Sequence, residues 1–247
     1  MGEKDVPRVL VFSAHAADFS SRAGGTICKY ARWGAQVRVV ALTLGERSES
    51  GGLYAGGAKP ALAEVKEIRR EEAAQAAAVL GVELCVLDWG DLSFDFSLER
   101  VKRLAEEIRA FRPDVLLTHH GPDPVSVDHD TTWRLAGRAV QMAGAVGLES
   151  DLPPVRGPQM FLFEATIPLT EVEGFTPDTY VDITDVWQVK LEALGAFRRA
   201  QEFLVPWYTE VAERRGFQAR RLSGCPDILY AEAFERVLPW VGDRLPL

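Results

Sequence analysis

Four apolar, β-branched runs separated by helical patterns constrain this chain more than any other feature. They read RVLVFSA from Arg8, QVRVVALTL from Gln36, ELCVLDW from Glu83 and DVLLTH from Asp114. Runs this apolar lack the polar alternation of a strand with one face in water, so both faces need cover. Helical periodicity over residues 23–33, 60–80 and 98–111 supplies it. Strands alternating with helices predict a Rossmann-like, doubly wound, mostly parallel α/β sheet with helices on both faces. Gly81 stands where a helix C-terminus would place it. A further helix is expected over 128–145, short strands at MFLFEAT and TYVDIT, and one long helix over 186–214. Nothing in the pattern divides the chain, so one domain over residues 1–247 is expected. The glycine-rich SESGGLYAGGAKP after the second run reads as a mobile loop at the sheet's C-terminal edge rather than a phosphate cradle, since no G-x-G-x-x-G or P-loop lysine accompanies it.

Charge and cysteine usage narrow the function. The formal net charge of -8 argues against a partner in nucleic acid or an anionic membrane, and any acidic substrate would need local arginines. Three scattered cysteines, Cys28, Cys85 and Cys225, read as reduced core residues and fit a cytoplasmic protein. No run reaches membrane-spanning length, and acidic residues stand before the first apolar run, where a signal peptide would be basic.

The chemistry gathers around four histidines, His15, His119, His120 and His129, all just past predicted strands. With the strand order 3-2-1-4, the chain reverses between the first and fourth strands and opens a crevice at their C-terminal ends. His15 and Asp18 leave the first strand into that crevice, and His119, His120 and His129 leave the fourth. Two imidazoles and a carboxylate, with a coordination position left open, form the ligand set of a catalytic zinc or similar divalent metal. Taken alone, His15 reads as a hydrogen-bonded strand-end residue. The topology reverses that preference, because an unpaired Asp18 at a partly buried edge is costly and a metal removes the cost. Adjacent His119 and His120 cannot both face the crevice from an extended chain.

These residues resemble the PIG-L or LmbE-like superfamily of zinc N-deacetylases, whose A-H-P-D-D-E and H-x-D-H motifs correspond to AHAADF and SVDH here. GGT at 24–26, TLGER at 43–47, IRREEA at 68–73, AAAVLGV, VDITDV and YAEAF extend the likeness over nearly the whole chain. The resemblance implies His15, Asp18 and His129 as metal ligands. It also exposes departures: Ala17 stands where the deacetylases have their general base, and Ser126 where they have the assisting histidine. Losing one positioned acid or base costs about 10²- to 10⁴-fold in rate.

SAHAADFSSRAGGTI, TLGERSES and DWGD resemble the family's zinc-dependent 4-oxalomesaconate hydratase branch, which adds water across a carbon–carbon double bond. That resemblance implies Glu49 as acid or base, Arg22, Arg47 and Arg69 as grips for substrate carboxylates, and a homo-oligomer, often a hexamer. The branch carries a histidine where FLFEATIP offers Thr166, so either His119 or His120 takes that part, with His120 the expected choice, or the substrate differs. A zinc-dependent hydratase of an unsaturated oxo-polycarboxylate is the leading expectation. A deacetylase of an N-acetylglucosamine-type conjugate follows, then a metal-binding protein with decayed catalysis.

Overall fold

The computed structural model describes residues 6–123, 125–164, 174–239 and 241. Seven strands form one sheet in the order β3-β2-β1-β4-β5-β7-β6. Strands β1 (Arg8–Ser13), β2 (Gln36–Ala41), β3 (Glu83–Val86), β4 (Val115–His119) and β5 (Gln159–Phe163) run parallel. Antiparallel β7 (Ala231–Arg236) pairs with β5 and with β6 (Thr179–Asp182). The chain therefore reverses between β1 and β4, as the sequence predicts.

Side-chain alternation along the central strands builds two cores. Val9 and Val11 of β1 face one way, toward helices α1 (Asp18–Arg32), α2 (Leu62–Leu80) and α5 (Trp187–Gly195). Leu10 and Phe12 face the other, toward α3 (Leu98–Phe111) and α4 (Val127–Ala143). This two-sided burial is why the sequence shows no polar alternation there. At the close contact of α1 with the segment before α5, a Cβ on Gly25 would lie 2.6 Å from Ile183 Cγ2. Gly81 ends α2 with φ 72, as expected of a left-handed cap.

Three expectations need correction. The long helix over 186–214 is instead two, α5 and α6 (Leu204–Ser223), separated by turns. Pro206, which has no N–H to give a preceding turn, sits in the first turn of the second helix, where that donor is not needed. Helix α1 starts at Asp18, five residues earlier than predicted, so Arg22 lies buried inside the helix rather than ahead of it. Cys225 is exposed just beyond α6, unlike the buried Cys28. The glycine-rich loop after β2 contains a short 3-10 segment, Gly51–Gly57. Among the described residues, no helix is long and apolar enough to cross a membrane.

Candidate metal centre

Between β1 and α1, residues 14–17 turn over the crevice at the β1–β4 reversal. Asp18 Oδ2 accepts the His15 amide at 2.7 Å, which closes the turn and sets the two side chains together. Ser13 Oγ locks the same turn by donating to the His15 carbonyl and accepting from the Phe19 amide. His129 arrives from the first turn of α4, where the Ser126 hydroxyl accepts its amide at 3.4 Å. Glu49 comes from the loop after β2, its amide bonded to the Gly45 carbonyl. One ligand atom from each of His15, Asp18, Glu49 and His129 lies within 4.8 Å of the other three. The structure thus brings together the three predicted ligands and sets Glu49 beside them.

The donors converge without satisfying one another. His15 Nδ1 stands 3.4 Å from Asp18 Oδ2 and 3.4 Å from Glu49 Oε1. Even so, His15 Nδ1 and Glu49 Oε2 are buried and make no hydrogen bond. Buried polar atoms left in this state are costly; a cation would satisfy the His15 nitrogen, and a water or substrate proton would satisfy the Glu49 oxygen. The opposite ring nitrogens are already engaged: His15 Nε2 with Asp128 Oδ2 at 3.1 Å, and His129 Nδ1 with Asp123 Oδ2 at 2.9 Å. Such carboxylate partners fix each ring and direct its remaining nitrogen, Nδ1 of His15 and Nε2 of His129, to the centre. The donor set of imidazoles and carboxylates fits a divalent metal such as zinc.

The electrostatics agree. Burial opposes charge on His15, yet Glu49, with Asp128 and Asp18, holds its pKa well above the usual histidine value. Burial favours neutral acids at Asp18 and Glu49, but neighbouring histidines hold both below the usual carboxylate range, His129 and His119 acting on Asp18 and His15 on Glu49. This crowd of carboxylates around one imidazole draws a cation. His119 is different: burial, and then His129, push its pKa down to about 3. Its ring stacks on His129 at 4.1 Å and its Nε2 accepts the Ala14 amide.

Of the tandem pair, then, His119 lies against the donors. His120 meets Phe175 edge-on and lies 3.5 Å from Glu235 Oε2. Arg22 donates to the Glu164 carbonyl at 2.7 Å and to Asp18 Oδ1 at 3.4 Å. Arg69 is fully buried, donating to the Leu44 carbonyl, Glu72 and Gln201, with Nη2 3.8 Å from Glu49 Oε2. Arg47 is the most open of the three arginines, near Glu46 and Asp91. Thr166 lies outside the described residues.

A family model described as PIG-L, GlcNAc-PI de-N-acetylase, matches residues 10–140. The 4-oxalmesaconate hydratase of Pseudomonas putida is 39% identical, over 96% of this chain and 91% of its own length. The chain belongs to the PIG-L family. A crystal structure of the 4-carboxy-2-hydroxymuconate hydratase of Pseudomonas putida superposes with a TM-score of 0.91 at 38% identity, covering 98% of this chain and all of that one. The diacetylchitobiose deacetylase of Thermococcus kodakarensis, 31% identical over 77% of this chain and 68% of its own, is a more distant relative. Within this PIG-L chain, sequence reading missed Asp123 and Asp128, the carboxylates that orient the rings. Their signal was present: both are acidic residues a few positions from a candidate ligand, where such partners recur.

Proposed function

We propose that this chain is a zinc-dependent hydro-lyase that adds water across the carbon–carbon double bond of an unsaturated oxo-polycarboxylate such as 4-oxalomesaconate. The observation that carries the reading is what flanks the donors. The donor groups converge, yet the N-caps of α1 and α4 are Ala17 and Ser126. Neither side chain exchanges a proton at neutral pH, so the acid and base of amide hydrolysis have no place there. The full-length likeness to two proteins named hydratases supports the same reading.

A divalent ion held by His15, Asp18 and His129 would supply Lewis-acid polarisation of a substrate oxygen. Asp128 and Asp123 keep the two rings aimed. Glu49, ionised at neutral pH and seated among the donors, takes the proton role: water adds as hydroxyl on one alkene carbon and hydrogen on the other, and Glu49 carries that proton between them. Arg47 provides the carboxylate contact, being on the Glu49 loop and 44% exposed. Arg22 and Arg69, whose donors meet protein groups, brace Asp18 and Glu49 while their charge draws an anion into an acidic chain. A proton role for His120 belongs to the same reading, as do one functional unit over residues 1–247, a cytoplasmic setting and a homo-oligomer, whose size light scattering would measure.

The decisive experiment incubates the zinc-loaded protein with 4-oxalomesaconate and, separately, with an N-acetylglucosamine conjugate. Loss of the conjugated chromophore without acetate release supports hydration. Acetate without chromophore loss replaces it with deacetylation, and neither signal from fully metallated protein leaves a metal-binding protein. Glu49→Gln is expected to slow hydration about 10²- to 10⁴-fold while zinc content stays at the native level.

A further inference from the structure

We infer that the turn at residues 88–92 is a positioning device that holds both sides of the candidate site, the Glu49 loop through Asp91 and His15 through Leu92 and Asp128. The inference rests on the metal-site reading and adds residues that reading does not use.

The turn has an unusual backbone. Asp88, Gly90 and Leu92 are all left-handed, with φ 53, 79 and 58. Two of them are not glycine, and such residues persist only where the surroundings over-determine them. Burial of Leu92 does not explain its conformation, because it is 62% exposed. The explanation lies in what the turn presents. Asp91 is fully buried, and its carboxylate accepts the Arg47 amide at 2.9 Å, the Ser48 amide at 2.6 Å and the Ser48 hydroxyl at 2.7 Å. Those contacts clamp the two residues directly before Glu49. The next residue faces the other way: the Leu92 amide donates at 2.8 Å to Asp128 Oδ2, the oxygen that meets His15 Nε2 at 3.1 Å. Adjacent residues of one strained turn therefore fix a proton-carrying carboxylate and a ligand imidazole.

The turn is itself anchored. The Leu87 and Trp89 amides extend the β2–β3 pairing to the Ala41 and Leu42 carbonyls. Lys66 of α2 holds Asp88 at 2.6 Å, with Arg70 at 3.5 Å, and Ser93 Oγ closes onto the Gly90 carbonyl. A frame tied to α2 and the sheet thus transmits its rigidity to Glu49 and His15.

The test uses the full chain with Co2+ in place of zinc, whose visible spectrum reports donor geometry without any substrate. Asp91→Asn puts an amide donor against the Arg47 and Ser48 N–H groups. It is expected to change the cobalt spectrum, weaken Co2+ binding about 10- to 100-fold, and lower kcat for 4-oxalomesaconate by a similar factor with KM nearly unchanged. A folded Asp91→Asn protein with native spectrum and native kcat overturns the inference. Should that variant fail to fold, Ser48→Ala, which removes only the hydroxyl contact, decides in its place: an altered spectrum supports the inference and a native one overturns it. If native protein hydrates nothing, the functional reading fails while the cobalt spectra still judge the turn.

Discussion

Two regions of the molecule bury the same kinds of charge and use them differently. At the C-terminal ends of β1, β2 and β4, Asp18, Glu49, His15 and His129 converge, and His15 Nδ1 and Glu49 Oε2 make no hydrogen bond. Around β5 and β7, the buried charges are matched. Arg215 of α6 grips Glu164 with two bonds of 2.6 and 2.9 Å. Lys190 of α5 meets Glu232 of β7 at 2.6 Å, and Glu232 also accepts the Gly25 and Thr26 amides of α1. A buried charge with complete partners is a brace, and one left incomplete among others is a place for a ligand. The contrast teaches which carboxylates are available for chemistry.

The largest expected effect falls on the incomplete set. Asp18→Asn keeps an acceptor for the His15 amide but removes the charge, so zinc content measured after dialysis should fall to a small fraction of native. Hydration should drop by at least about 10³-fold, the scale of several kcal/mol of lost Lewis-acid stabilisation. Native zinc content in this variant would make the donor cluster one more brace and erase the contrast.

Next comes the matched set. Glu232→Ala leaves Lys190 buried without its carboxylate and frees two helix amides, a loss of about 3–5 kcal/mol. Thermal unfolding should shift down by roughly 10 °C for a chain of this size. Zinc affinity and kcat of the folded protein, measured well below the midpoint, should stay native.

The same contrast explains how much the sequence disclosed. The parallel strands β1 to β4 were legible because both of their faces are buried, which leaves unbroken runs such as RVLVFSA. His15, Asp18 and His129 were legible because the strand order places both of their loops at one reversal. Strand β7 escaped notice because buried Glu232 and half-buried Glu235 and Arg236 make AEAFER look like surface, their partners lying far away in sequence. The start of a new helix at α6 was marked by Pro206, which periodicity alone passes over. Asp91 and Leu92 were illegible as supports, since a left-handed leucine and an amide donated to Asp128 leave no compositional trace.

A smaller effect tests how tightly the braced region presses on α1. Gly25→Ala would set a Cβ 2.6 Å from Ile183, whereas Gly24→Ala would meet Lys190 Cγ at an ordinary 3.6 Å. The first should cost about 1–3 kcal/mol and the second should be neutral or slightly stabilising, by calorimetry. Equal costs would mean that the contact of α1 with Ile183 gives way easily.

The smallest effect sets the donor cluster against a helix that contributes nothing to it, because it uses the same residue in the same role. Ser97 caps α3 by accepting the Arg100 amide at 3.3 Å, and Ser126 caps α4 by accepting the His129 amide at 3.4 Å. Replacing either by alanine should cost about 1 kcal/mol, seen as a few degrees in the thermal midpoint. The consequences should then diverge, since the amide freed in Ser126→Ala is that of His129, a member of the donor cluster. Its ring would lose part of what sets it against Asp123, and zinc affinity should weaken several-fold. Ser97→Ala should leave zinc affinity untouched, because α3 contributes no donor to the cluster. If both variants bind zinc equally well, the Asp123 contact alone holds the His129 ring, and the cap at α4 serves the helix and not the site.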